Sequence, residues 1–124
     1  MISLYSTWWV KPDKTQELIT PLNRLAAEVE KNEKGTLMYL INYPRFDFPT
    51  VKPGKNPIIS NPMVRPGTVV FFEKYENWEA FETHLYGPYF TSFVDEYKSY
   101  FVAGFDDNPF VEVVFLDEQI GFRR

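Results

Sequence analysis

Ile2, Leu4, Ser6, Trp8 and Val10 alternate with Ser3, Tyr5, Thr7 and Trp9, and this period of two predicts a β-strand from Ile2 to Val10. Large apolar groups fall on both of its faces, so both are expected to be covered. A helix layer can cover one side and a second subunit the other. Lys11, Pro12 and Asp13 then make a turn, with Asp13 placed to cap a helix. From there the spacing changes. Leu18, Ile19, Leu22, Leu25, Ala26 and Val29 recur at i, i+3 and i+4, which predicts a helix from about Lys14 to Lys31. Pro21 interrupts it. Proline lacks the N–H that would bond back to Glu17, an interior cost of roughly 3 kcal/mol, so a kink is expected there or a helix that starts at Thr20.

Gly35 turns the chain into a second strand, Leu37 to Tyr43, in which Leu37, Tyr39, Ile41 and Tyr43 alternate with Met38, Leu40 and Asn42. Residues 44–66 show neither period and hold six of the ten prolines. A loop this long inside a domain is usually a functional or a mobile element. Phe46, Phe48, Ile58, Ile59 and Met63 are enough apolar surface to dock it, as a lid over a cavity, a flap over a partner subunit, or an inert insertion.

Val69, Val70, Phe71, Phe72 and Tyr75 make Thr68 to Tyr75 a third strand. Asn77 is a suitable N-cap for the helix that follows. On that helix Trp78, Phe81, His84 and Leu85 fall close to one face, so the chain's single histidine points with the apolar residues. Gly87 and Pro88 end it and launch another, whose stripe of Phe90, Phe93, Val94, Tyr97, Tyr100 and Phe101 runs out near Ala103 and Gly104. Asp106 to Pro109 form a turn. The last strand is Phe110 to Leu116, with Val111, Val113 and Phe115 alternating against Glu112 and Val114, and 117–124 is a short tail.

The order β-α-β-β-α(α)-β is the split βαβ plan of an α+β, ferredoxin-like domain with a four-stranded antiparallel sheet. One domain, 1–124, is expected, carrying the Pro-rich insertion at about 44–66. Helices on one face leave the other bare, and here that face is apolar. Two copies are therefore expected to pack sheet to sheet as a dimeric α+β barrel.

Composition sharpens this picture in three respects. Aromatic residues make up 19% of the chain, more than a small core needs, which points to a large interface, an aromatic-lined cavity, or simply a bulky core. The net charge of −4 comes with no basic run beyond Arg123 and Arg124, so neither nucleic acid nor an anionic membrane is an expected partner. There is no cysteine, which removes disulfides and thiolate chemistry. With no signal peptide and no apolar span of about 20 residues, a cytoplasmic protein is expected.

No phosphate loop, no paired metal-ligand motif and no nucleophile elbow is present. His84 stands out as a general base, because an ordinary histidine with a pKa near ~6.5 accepts a proton at neutral pH. A lone histidine on an apolar face also reads as a core residue with one hydrogen bond, and both readings stand. Trp8 or Trp9, Asn42, Glu73 and Tyr75 lie on strands that can line a cavity beside it, and Tyr86, Tyr89, Phe90 and Phe93 can close that cavity from the helices.

The stretch from Phe71 to Phe90, with a strand ending E-x-Y, a turn, a helix reading A-F-x-x-H-L, then a proline and an aromatic-rich helix, resembles the antibiotic biosynthesis monooxygenase domain family. EKGTLMYL, residues 33 to 40, adds an acidic residue, a glycine turn and an aromatic-bearing strand of the kind that family carries. The resemblance implies a dimeric α+β barrel. It also implies a monooxygenase that oxidises a phenolic or quinol-type aromatic small molecule with O₂ and needs no cofactor or metal, with His84 at a position often held by histidine. A haem-degrading branch of the superfamily fits poorly, since its tryptophan falls at His84 and its ligand histidine at Val94. A small-molecule binding protein without turnover, and an isomerase using the same histidine, are the alternatives on this scaffold.

Overall fold

β1 (Ile2–Trp9) runs inside the sheet, antiparallel to β3 (Thr68–Tyr75) on one side and β4 (Val111–Leu116) on the other. β2 (Thr36–Asn42) pairs with the far edge of β3, so the order is β2-β3-β1-β4. The computed structural model describes residues 1–43, 53–56, 67–117 and 120–124. α1 (Thr15–Asn32) carries the chain from β1 to β2 and leaves the place between them for β3, which is the expected split βαβ arrangement. α2 (Trp78–Tyr86) and α3 (Pro88–Tyr97) follow β3.

The core lies between the helices and one face of the sheet. Leu18, Leu22, Leu25 and Val29 of α1 pack with Trp8, Val69 and Phe71 of the strands and Phe93 of α3. Each such burial contributes about 1.5–3 kcal/mol, so this stripe is what holds α1 on the sheet. The register sets the faces. Leu4, Ser6 and Trp8 stand opposite Glu73, Phe71 and Val69, all of them buried, and opposite Phe115, Val113 and Val111 of β4. Between them, Tyr5 stands opposite Phe72 and Val114 on the face away from the helices.

Several boundaries depart from expectation, each for a local reason. α1 runs through Pro21 in its second turn and begins at Thr15, so Thr20 is not its start. Asp13 does not cap it; its backbone is left-handed (φ 66°), and Lys14 occupies the capping position without a side-chain bond. A bulge between Thr36 and Met38 breaks the alternation of β2 and leaves Leu37 exposed, while Tyr39 and Ile41 pack on the core as expected. α3 stops at Tyr97. A 3₁₀ turn over Lys98–Tyr100 follows, and Phe101 leaves the helix to bridge Val10 while fully buried. Phe110 precedes β4 instead of opening it. Of the Pro-rich stretch 44–66, residues 53–56 form an exposed turn; the docking expected of Phe46, Phe48, Ile58, Ile59 and Met63 lies outside the described residues.

Candidate functional site

α2 is set by its first turn. The Asn77 side chain accepts from Ala80 N–H at 2.9 Å, the expected cap, and this fixes where the helix begins. Two turns later His84 enters the space between α2 and the sheet and is the one fully buried residue of the helix. Gly87 ends α2, and a side chain there would collide with Thr83 O at 2.4 Å, so the α2–α3 break requires glycine.

A cavity of about 210 Å³ opens beside His84, lined by Leu4, Ser6, Trp8, Glu73, Phe81, Leu85, Phe90, Val111 and Val113. Its wall is almost wholly apolar. The Trp8 indole N–H donates to Ser6 Oγ at 3.0 Å, which leaves His84 and Glu73 as the ionisable groups of the lining. Rings surround the imidazole: Phe90 at 4.8 Å, Tyr39 edge-on at 5.0 Å and Tyr75 at 5.8 Å between centroids.

His84 is held by Glu33, the residue that ends α1. Nδ1 and Glu33 Oε2 lie 2.7 Å apart with both side chains buried. A carboxylate can only accept, so in the neutral ring this contact calls for the tautomer with its proton on Nδ1 and its lone pair on Nε2. Nε2 is buried and has no partner among the described residues. The ring is thus a base oriented by a carboxylate on one side, with its free nitrogen left for a ligand.

Glu73 is buried beside it and accepts from the Tyr75 O–H at 2.9 Å. Burial pushes the Glu73 carboxyl above the ordinary carboxylate range, His84 and the Tyr75 hydrogen bond oppose this, and the charge of Glu33 adds to it. Burial, with the nearby Glu73 and Glu33 charges, also holds the Tyr39 phenol well above its usual value. Tyr75 is raised for the same two reasons, burial first and Glu73 next. Both phenols therefore stay protonated at neutral pH, and the Tyr39 O–H is buried without a partner among the described residues. Among the described residues no group of three His, Asp or Glu side chains is gathered as a metal site.

Of the residues expected at a site, His84, Trp8, Glu73 and Phe90 meet at the cavity, and Tyr75 stands behind Glu73. The others do not join them. Trp9 belongs to the opposite parity of β1 and stacks on Phe110 at 4.6 Å. Asn42 is exposed at the end of β2, where it donates to Val70 O at 3.2 Å. Tyr86 is 75% exposed. Tyr89 and Phe93 face a separate hollow between α1 and α3, where Phe93 is buried in the core. Val94, at the place of a haem-ligand histidine, packs against that core. Glu33 and Tyr39 went unrecognised as site residues, although Glu33 opens the EKGTLMYL stretch; no local pattern links it to a histidine 51 positions away.

No family model matches the sequence, and no curated protein does. Solved structures do match the fold. A structure from Caulobacter crescentus named as a candidate antibiotic biosynthesis monooxygenase aligns over 94% of this chain and 90% of its own at 21% identity, with a TM-score of 0.67. One of the same name from Deinococcus radiodurans aligns over 100% of both chains at 20% identity and TM-score 0.64. A third, from Bacteroides thetaiotaomicron, covers 99% of this chain and 94% of its own at 15% identity and TM-score 0.71. At such identities the likeness is one of fold, and the chain is built on the scaffold seen in structures named antibiotic biosynthesis monooxygenase.

Proposed function

We propose that the chain is a monooxygenase that oxidises a phenolic or quinol-type aromatic small molecule with O₂, without a cofactor, and that His84 is its base. The observation that carries this reading is the buried His84–Glu33 pair at 2.7 Å beside an apolar, aromatic cavity. About 210 Å³ is small against the roughly 300–1,000 Å³ of pockets for drug-sized ligands, which favours a compact aromatic substrate. The substrate hydroxyl hydrogen-bonds to Nε2 and passes its proton there. The electron-rich ring then reacts with O₂ at a ring carbon. A phenol with a free para carbon keeps one oxygen atom, becomes a quinone and releases the other as water, so the substrate supplies all four electrons. Glu73, on the same wall and with its carboxyl held above the ordinary range by burial, is the donor to the reduced oxygen.

The reading also includes a homodimer in the cytoplasm. Leu40, Phe72 and Leu116 are 52%, 41% and 46% exposed on the sheet face away from the helices, a patch that a second sheet would cover. Among the described residues no helix is long and apolar enough to cross a membrane.

A histidine and a buried carboxyl in one cavity also suit an isomerase, in which one group removes a proton and the other returns it. Oxygen uptake separates the two. The metal-free protein is assayed with hydroquinones, naphthols and anthrones, with His84→Ala in parallel. We expect uptake above the autoxidation blank, one O₂ per substrate, falling by about 10²-fold or more in the variant. Uptake that survives in His84→Ala removes the histidine from the mechanism. No uptake across the panel favours the isomerase or binding reading.

A further inference from the structure

His84 faces an apolar cavity, and once a substrate fills that cavity no solvent reaches the base from that side. Its protonation state then depends on what lies behind it. On that side Glu33 ends α1 and forms part of the wall of a second hollow, about 340 Å³, polar and open at the surface. Thr36 and Thr83 share that wall, together with the charged Lys34, Glu76 and Glu79. Glu33 therefore belongs both to the buried pair and to the solvent-facing hollow.

Two buried polar atoms of that wall have no partner among the described residues. They are Glu33 Oε1 and Thr36 Oγ1. The two residues are joined in one turn, where Thr36 N–H donates to Glu33 O at 3.0 Å. Orphaned buried polar groups beside a roomy polar hollow are the setting in which ordered water is held. A water held there would accept from the Thr36 hydroxyl and donate to Glu33 Oε1, the carboxylate whose other oxygen is on the histidine.

We propose that Glu33 is a proton conduit, exchanging the proton of His84 with solvent in the outer hollow while the inner cavity is closed. This rests on His84 being the base of the proposed reaction. When the substrate hydroxyl gives its proton to Nε2, the Nδ1 proton passes to Glu33 Oε2, and the carboxyl releases one to water held by Glu33 and Thr36. The reduced oxygen takes its proton from Glu73 and leaves as water, and the sequence then runs in reverse to return a proton to Glu73 by way of His84. No net proton is gained or lost over the turnover.

The chain's single histidine makes the test direct, because one imidazole signal reports it. The exchange rate of the His84 Nδ1 proton with water is measured by ¹⁵N NMR in the wild type, Glu33→Gln and Thr36→Val. Glutamine keeps an oxygen to accept from Nδ1–H but cannot take up the proton, and we expect exchange to slow at least tenfold. Valine removes the hydroxyl at nearly the same volume, and a severalfold slowing is expected. A purely structural role for Glu33 predicts the opposite, since a weakened bond opens more often and exchanges faster. Exchange that is unchanged or faster in Glu33→Gln overturns the conduit; if that variant does not fold, Thr36→Val decides in the same way. Exchange needs no substrate, so a failed oxygenase assay leaves this result standing, and the reverse is equally true.

Discussion

Tyr75 and Glu73 stand two residues apart on the inner face of β3, and the Tyr75 phenol donates to the Glu73 carboxylate at 2.9 Å. The bond joins the most deeply buried ring of the site to one of the two ionisable groups of the cavity wall. It stabilises the ionised carboxylate, yet burial acts more strongly and the carboxyl keeps its proton to higher pH than usual. For such a group the stability contribution is complete below the unfolded pKa, near ~4.3, and is lost as pH rises through the folded value. Glu73→Gln is therefore expected to raise the melting temperature at pH 7–8, with the gain shrinking toward zero near pH 4. Thermal melts across that range check it. A shift that is the same at every pH would mean that ionisation of Glu73 is not what strains the site.

The Asn77 cap fixes the start of the helix that carries His84. Asn77→Ala removes the 2.9 Å bond to Ala80 N–H and is expected to cost about 1 kcal/mol, a fall of roughly 3–6 °C in melting temperature. Asn77→Ser keeps a capping oxygen and should lose less than half of that. Equal losses in the two variants would show that the cap bond is not the source.

Much of this fold was legible from short-range pattern, and the site was legible only in part. Alternation in Thr68 to Tyr75, the Asn77 cap and the Gly87-Pro88 break each depend on a few neighbouring residues, and each stands where expected. Parity is the harder matter. β1 is apolar on both faces, so nothing local separates Trp8, at the cavity, from Trp9, on the opposite face. Asn42 falls opposite in parity to Tyr39 and Ile41, which already placed it away from the core side. The bulge at Thr36–Met38 then reversed the exposure of Leu37, and a bulge leaves no mark in a strand's period. The Glu33–His84 pair needs two elements to meet across the chain, which periodicity cannot express.

Gly35 is required by a close approach. A Cβ added there would lie 2.6 Å from Ala80 Cβ, so the turn from α1 into β2 touches α2 through this glycine. Gly35→Ala is expected to destabilise by roughly 1–3 kcal/mol, as overpacking does. The relief should come from Ala80→Gly, although that change alone costs about 1 kcal/mol of helix propensity. The double variant is expected to be more stable than the sum of the two losses, measured by urea denaturation. Strict additivity would show that the two positions do not press on each other.

The sheet face away from the helices carries the proposal of a dimer into a measurement. Tyr5 and Phe72 pack there with ring centroids 6.2 Å apart, and Phe72 remains 41% exposed. If a second sheet covers this patch, a lysine at Phe72 would be buried without a partner in the dimer but solvated in the monomer. Its cost then falls on association, about 3 kcal/mol or more, which is a hundredfold in the dissociation constant. Light scattering on the wild type and Phe72→Lys at micromolar concentration is expected to give dimer and monomer respectively. Circular dichroism should show the same helix content in both, because Phe72 faces away from α1, α2 and α3. A wild type that is monomeric at these concentrations, or a Phe72→Lys variant that stays dimeric, would remove this face as the interface.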